Sequence, residues 1–131
     1  MLDRVAPGVF DDPIDPAATL EFLIDPRHHL AVALDADVVI GFASAVHYVH
    51  PDKSSPELWI NEVSVASTHQ GRGIGKALIA ALLDVGRTLG CSEAWVLTDR
   101  DNARAMRLYE AGGGIATQDH VMFTFRLGRC Q

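Results

Sequence analysis

The stretch Gln70-Gly71-Arg72-Gly73-Ile74-Gly75-Lys76 brings glycines and cations together immediately before a helical repeat. Glycine lets the backbone come close to a ligand and reach positive φ. After the first two glycines, Ile74, Ala77, Leu78, Ala81, Leu82, Val85 and Leu89 recur at three- and four-residue spacing, the stripe of an amphipathic helix. The first turn of a helix has N–H groups without internal partners and the positive end of the macrodipole. The chemistry this suits is the binding of a phosphate or pyrophosphate. A P-loop needs a glycine where Gln70 stands and a hydroxyl where Ala77 follows Lys76, so that class is excluded. A dinucleotide fingerprint needs G-x-G-x-x-G, and Gly71, Gly73 and Gly75 are spaced two apart. What remains is Q-x-x-G-x-G between a strand and a long helix.

The elements around that turn can be read in order. Residues 57–65 (ELWINEVSV) form a strand, with Val63 and Val65 on one face and Glu62 and Ser64 on the other. Before it, residues 29–34 and 38–49 read as a hairpin around Asp35-Ala36-Asp37, and Gly41 marks a bulge or bend. Residues 50–56 are a polar loop, so three sequential strands run antiparallel into the glycine turn. Gly90 stops the long helix. Residues 93–98 form a short strand, parallel to residues 57–65 because a helix connects them. Asp101 or Asn102 caps a helix over residues 103–111, whose apolar side is Ala105, Met106, Leu108 and Tyr109. Residues 121–127 alternate and close the sheet as a last strand. At the start, residues 2–5 read as the end of a helix stopped before Pro7. Asp15 caps a short helix with Pro16 in its first turn, carrying Leu20, Phe22, Leu23 and Ile24. The expected fold class is α/β, layered α+β: a mixed, mostly antiparallel central sheet with helices on both faces, in one domain spanning residues 1–131.

Composition narrows the function. A formal net charge of −6 argues against general nucleic-acid binding and favours cationic partners. No apolar run approaches a membrane span, and no basic, apolar leader opens the chain, so neither membrane nor export is expected. Cys91 and Cys130 form no C-x-x-C pair, and a reduced, cytoplasmic setting is the simplest reading. Cys91 reads as a small packed residue rather than a nucleophile. The six histidines lack metal-ligand spacing, so no metal is expected.

The motif between strand and helix resembles the acyl-CoA-binding motif of the GCN5-related N-acetyltransferases. A second segment, T-D-R-D-N-A-R-A-M-R-L-Y-E-A-G-G, puts Asn102, Tyr109 and Gly112 where that family has an asparagine opening a helix, a tyrosine within it and a glycine after it. The resemblance covers about residues 29–127. The hairpin, the proline-containing loop and the strand after it look closest to the aminoglycoside 3-N-acetyltransferase branch. The fold implied is the acyl-CoA N-acyltransferase fold, lacking its first strand, because nothing strand-like precedes Leu2.

The activity implied is transfer of an acetyl group from the co-substrate acetyl-CoA to a primary amine of a small molecule, such as an aminoglycoside. A homodimer is common in the family. By resemblance, N–H groups of Arg72, Gly73, Gly75 and Lys76 cradle the pyrophosphate, with Ile74 in the same turn, while Gln70 and Gly71 shape the approach. The backbone of Val63, Ser64 and Val65 pairs with the pantetheine amides and offers an oxyanion donor. Glu62 is the base that takes a proton from the ammonium, directly or through water, and Tyr109 is the acid that protonates the leaving thiolate. Asn102 reaches the pantetheine, caps its helix, or both.

Each assignment has a plainer reading beside it. The glycines make a tight turn, Arg72 and Lys76 are solvated, Glu62 is a surface carboxylate and Tyr109 is a packed aromatic. Asp99, Glu57 and His47 are alternative bases, and His47 or His50 could touch the acceptor. A non-catalytic acyl-CoA-binding module and an enzyme acting on protein amines remain as other functions. The presence of both Glu62 and Tyr109 favours the enzyme. Asp11, Asp12, Asp15, Asp52 and Glu57 near the expected loops suit a polycationic acceptor.

Overall fold

A computed structural model describes residue 2, residues 4–117 and residues 119–128. The element order is α1 (Pro16–Ile24), β1 (His28–Asp35), β2 (Val38–Tyr48), β3 (Glu57–Val65), α2 (Ile74–Leu89), β4 (Glu93–Val96) and α3 (Ala103–Ala111). The sheet order is β1-β2-β3-β4, the first two pairings antiparallel and β3–β4 parallel. Ala36 and Asp37, both at positive φ, make the two-residue turn between β1 and β2, as a hairpin matching the strand twist requires.

Two bulges shape the sheet. Ala33 opposes Gly41 and Leu34 opposes Val39, which leaves Ile40 extra beside the glycine. Ser44 opposes Glu62 and Ala45 opposes Ile60, which leaves Asn61 extra in β3. Without the second bulge, Leu58, Ile60, Glu62 and Ser64 would all point one way, because strand side chains alternate. The extra residue resets the phase. Leu58 and Ile60 are buried in the core with Leu78, Ile79 and Leu82 of α2, and Val63 and Val65 pack against the same cluster. Glu62 and Ser64 are turned to the opposite face.

The helix α2 buries Leu78, Ile79, Leu82 and Gly86. The stripe read from the sequence is therefore corrected: Ile79 and Gly86 belong to it, whereas Ala77, Ala81 and Leu89 are exposed. The helix packs on two neighbours at once. A Cβ on Gly112 would stand 3.4 Å from Ile79 Cγ2, and one on Gly86 would stand 3.3 Å from Leu58 Cδ2. Leu58 and Leu82 are fully buried, and truncating either to Ala costs about 2–5 kcal/mol. A second cluster, Val9, Val39, Ile40, Phe42 and Ala66, lies under the N-terminal segment. In α1, by contrast, Asp15 Oδ1 accepts from the N–H groups of Ala17 and Ala18 at 3.0 and 3.1 Å, yet no residue of the helix is buried.

Three other expectations are corrected. The helix end expected over residues 2–5 is not seen at Arg4 and Val5: Val5 makes one parallel bridge to Val39, with Val39 N–H donating to the Arg4 carbonyl at 2.7 Å, while Asp3 lies outside the described residues. Four residues ahead of a proline cannot close a stable helical turn. Among the described residues no strand precedes β1. The strand expected over 93–98 ends at Val96, where it parts from β3. Residues 121–127 form no strand, and Val121, Phe123, Phe125 and Leu127 are all exposed. Alternation equips a segment to pair, but pairing also needs a facing strand edge, and none is placed against this one.

Candidate active site

The parallel pairing of β3 with β4 runs from Glu57↔Glu93 to Ile60↔Val96 and stops. Beyond it, β3 continues to Val65 while bonded only to β2. One backbone edge of β3 over Glu62, Val63, Ser64 and Val65 is therefore without a strand partner. An extended amide-bearing ligand can pair there as an added strand.

The chain then passes through a 3-10 turn at Ser67–His69 and reaches the glycines. Gly71 and Gly73 have φ of +80° and +78°, the left-handed region that other residues enter at a cost. Gly73 is the N-cap of α2 and offers no side-chain cap, and no acidic residue sits in the first turn. The first α2 bond runs from Ala77 N–H to the Gly73 carbonyl at 3.0 Å. The N–H groups of Ile74, Gly75 and Lys76 thus have no acceptor within the helix. Arg72 and Lys76 are exposed, and neither enters a salt bridge among the described residues. A free strand edge, a helix start without a cap and two exposed cations fit a diphosphate joined to an amide-bearing arm.

Some predicted ligands have internal duties. Gln70 Nε2 donates to the Val65 carbonyl at 3.0 Å, and Arg104 of α3 donates to Gln70 Oε1. The side chain therefore ties the end of β3 to the start of α3. A Cβ on Gly75 would lie 3.2 Å from Leu108 Cδ1, so this glycine also admits α3 against α2. Asn102 Oδ1 accepts from Ala105 N–H at 3.1 Å, which makes it the cap of α3.

Glu62 and Tyr109 lie on opposite faces of the sheet. Tyr109, on α3, is half-buried against the cluster beneath α2, and burial raises its phenol above the ordinary value. Among the described residues no hydrogen bond holds its hydroxyl. Glu62 lies on the other face, at the wall of a cleft of about 530 Å³ between the sheet and the segment leading into α1. Burial pushes the Glu62 carboxyl up, and the nearby charge of Asp11 adds to the shift. The cleft is also lined by Phe10, Asp11, Asp12, Phe42 and Ser44, with the rings of Phe10 and Phe42 stacked at 4.1 Å.

The alternative bases are elsewhere. His47 shares a 2.8 Å contact with His29, and alternation sets both on the α2 face, away from Glu62. Burial and the neighbouring histidines lower the His29 imidazole. His50 and Tyr48 bond the two oxygens of Glu57, at 2.9 and 3.4 Å. Asp99 is exposed in the loop ahead of α3. Burial, then Glu57, raises the Cys91 thiol, which suits a packed residue; Cys130 lies outside the described residues. The sequence reading missed the Asn61 bulge, the Phe10–Phe42 floor and the Gln70–Arg104 tie. The bulge alone left a trace, since Leu58 and Ile60 are out of phase with Val63 and Val65. No described helix is long and apolar enough to cross a membrane.

Comparison with known proteins agrees with this geometry. Residues 2–113 match the profile of the acetyltransferase (GNAT) family. The chain is 34% identical over 99 residues to the N-alpha-acetyltransferase RimI of Mycobacterium tuberculosis, covering 75% of this chain and 60% of that protein. It is 32% identical over 103 residues to aminoglycoside N(6')-acetyltransferase type 1 of Salmonella typhimurium, covering 75% of this chain and 71% of that one. The aminoglycoside N-acetyltransferase AAC(6')-Iy, solved in complex with CoA, superposes with a TM-score of 0.72 at 29% identity, over 84% of this chain and 74% of that one. These aminoglycoside relatives are N(6') enzymes, not members of the 3-N branch expected from the hairpin and loop pattern. The chain spans less than two thirds of the RimI relative's length. With its profile match over most of its length, a CoA-bound structural relative and a matching strand–glycine–helix unit, the chain belongs to the acetyltransferase (GNAT) family.

Proposed function

We propose that the chain transfers the acetyl group of acetyl-CoA to a primary amine of a small cationic molecule, an aminoglycoside-like amine being the best candidate. The carrying observation is the junction of two features: an unpaired β3 edge leading to the open start of α2, and a cleft that bears Glu62 with Asp11 and Asp12. Arg72, Gly73, Ile74, Gly75 and Lys76 hold the diphosphate, and Val63, Ser64 and Val65 align the pantetheine. An alkylammonium has a pKa near ~10, so the acceptor arrives protonated. Glu62, its carboxyl raised by burial, takes that proton directly or through one water. The freed amine attacks the thioester carbonyl, a backbone N–H near Val63–Val65 bonds the developing oxyanion, and the C–S bond breaks. Tyr109, kept protonated by burial, gives its proton to the departing sulfur, and the acylated nitrogen sheds its remaining extra proton to solvent.

The test is a panel of amines assayed for CoA release, from monoamines through polyamines to aminoglycosides and peptides. Turnover should be fastest with small polycations. Acetyl-CoA binding without CoA release from any amine would leave a binding module instead. A second reading, acetylation of a protein N-terminus, draws support from the likeness to RimI, and fastest turnover of a peptide in the same panel would favour it.

A further inference from the structure

Trp59 and Trp95 are the chain's two tryptophans, and they lie against each other. They are register partners in β3 and β4, with ring centroids 4.9 Å apart and ring planes 10° apart. Trp95 Nε1 donates to the Tyr48 hydroxyl at 2.7 Å, and Tyr48 in turn contacts Glu57, which His50 holds from the other side. The pair is thus fixed by a polar chain behind it. Trp59 nevertheless remains 36% exposed. Alternation sets Trp59 on the face opposite Leu58 and Ile60, and the Asn61 bulge sets Glu62 on that same face. Glu62 opposes Ser44 and Trp59 opposes Val46, two residues further along β2, a separation of about 7 Å along the strand. Two positions back along β3, on the same face, Glu57 pairs with Glu93, whose side chain is exposed.

We propose that the Trp59–Trp95 pair is a second acceptor subsite, which receives an ammonium-bearing part of the molecule whose other amine lies at Glu62. A cation over an indole face is drawn by the ring quadrupole, and tryptophan is the strongest of the aromatic partners. Glu93 at the rim supplies charge of the matching sign. The Trp95 ring is held in place before any ligand arrives, because Tyr48, itself bonded to Glu57, accepts its N–H. The subsite selects acceptors with two cationic centres spaced to bridge Glu62 and the indoles, above those with one. This inference rests on the reading that Glu62 receives the reacting amine.

When tryptophan is excited selectively over the two tyrosines, the emission comes from this pair alone, so it reports the subsite without any need for turnover. Titration with sisomicin in the absence of acetyl-CoA should change the emission saturably. In CoA-release assays, Trp59→Leu should reduce the kcat/KM preference for sisomicin over cyclohexylamine by about two- to thirtyfold, with Trp59→Phe recovering part of it. Glu93→Gln should reduce the same preference, and it serves alone if circular dichroism shows Trp59→Leu to be unfolded. Unchanged emission overturns the proposal, as does an undiminished preference in the folded variants. Emission that responds to protein dilution instead of sisomicin overturns it too, by making the pair an interface between copies. Failure of wild-type protein to acetylate either amine counts against the proposed acceptor chemistry; the fluorescence titration still decides whether the indoles bind a polycation.

Discussion

The two sides of the candidate site are built differently. On the co-substrate side, the functional groups are backbone: the free edge of β3 and the N–H groups that open α2. They are held by buried Leu78, Ile79 and Leu82 and by the Gln70 tie to Val65 and Arg104. On the acceptor side, the groups are side chains, Asp11, Asp12, Phe10 and Glu62, and the neighbouring helix α1 buries none of its residues. Backbone geometry is common to any sequence that folds this way, so it suits a ligand that does not vary. Side chains on a lightly packed segment can be exchanged at little cost to stability, so they suit a ligand that does.

Substitutions on each side should have unequal effects. The largest effect is expected from Gly73→Glu. It forces a non-glycine residue to φ +78° and brings a carboxylate to the anion site, so calorimetry should show acetyl-CoA binding abolished. Retained affinity would show that the α2 start is not the grip. Glu62→Gln should lower kcat by about a hundredfold while sparing acetyl-CoA affinity, within the range for loss of a general base. Tyr109→Phe should slow turnover by roughly tenfold or more without unfolding the protein; wild-type rates would reassign the ring to packing. Asp11→Asn should do least. As the proposed base, Glu62 works as the carboxylate, so activity should fall as pH drops through its raised pKa. Removing the Asp11 charge lowers that pKa, and the acid limb of the kcat/KM profile should move to lower pH. An unmoved limb would detach Asp11 from Glu62.

How much could be read in advance follows the same division. The strand, glycine turn and helix around Gly73 were legible because each is a local pattern with a physical cause: alternation, positive φ and three-to-four spacing. Asp15 was legible as a cap for the same reason, and the cap of α3 was narrowed to Asp101 or Asn102. Contacts between distant segments were not. Nothing local says that Asp11 comes beside Glu62, that Phe10 stacks on Phe42, or that Arg104 reaches Gln70. Residues 121–127 show the opposite error, since their alternation is real but the partner it calls for is not placed against them. The end of β4 at Val96 was hidden too, because strands part for reasons of global twist and neighbouring packing, which no tetrapeptide records.

The extra residue in β3 carries a consequence for how this protein can change over generations. Deleting Asn61 would leave Ile60 and Glu62 as neighbours in a regular strand, with the carboxylate still outward and the two valines still inward, because Ile60 and Glu62 already oppose the adjacent positions Ala45 and Ser44. A one-residue insertion or deletion elsewhere in β3 would instead turn the residues beyond it to the wrong face, so lineages that keep the activity should vary in strand length only at Asn61.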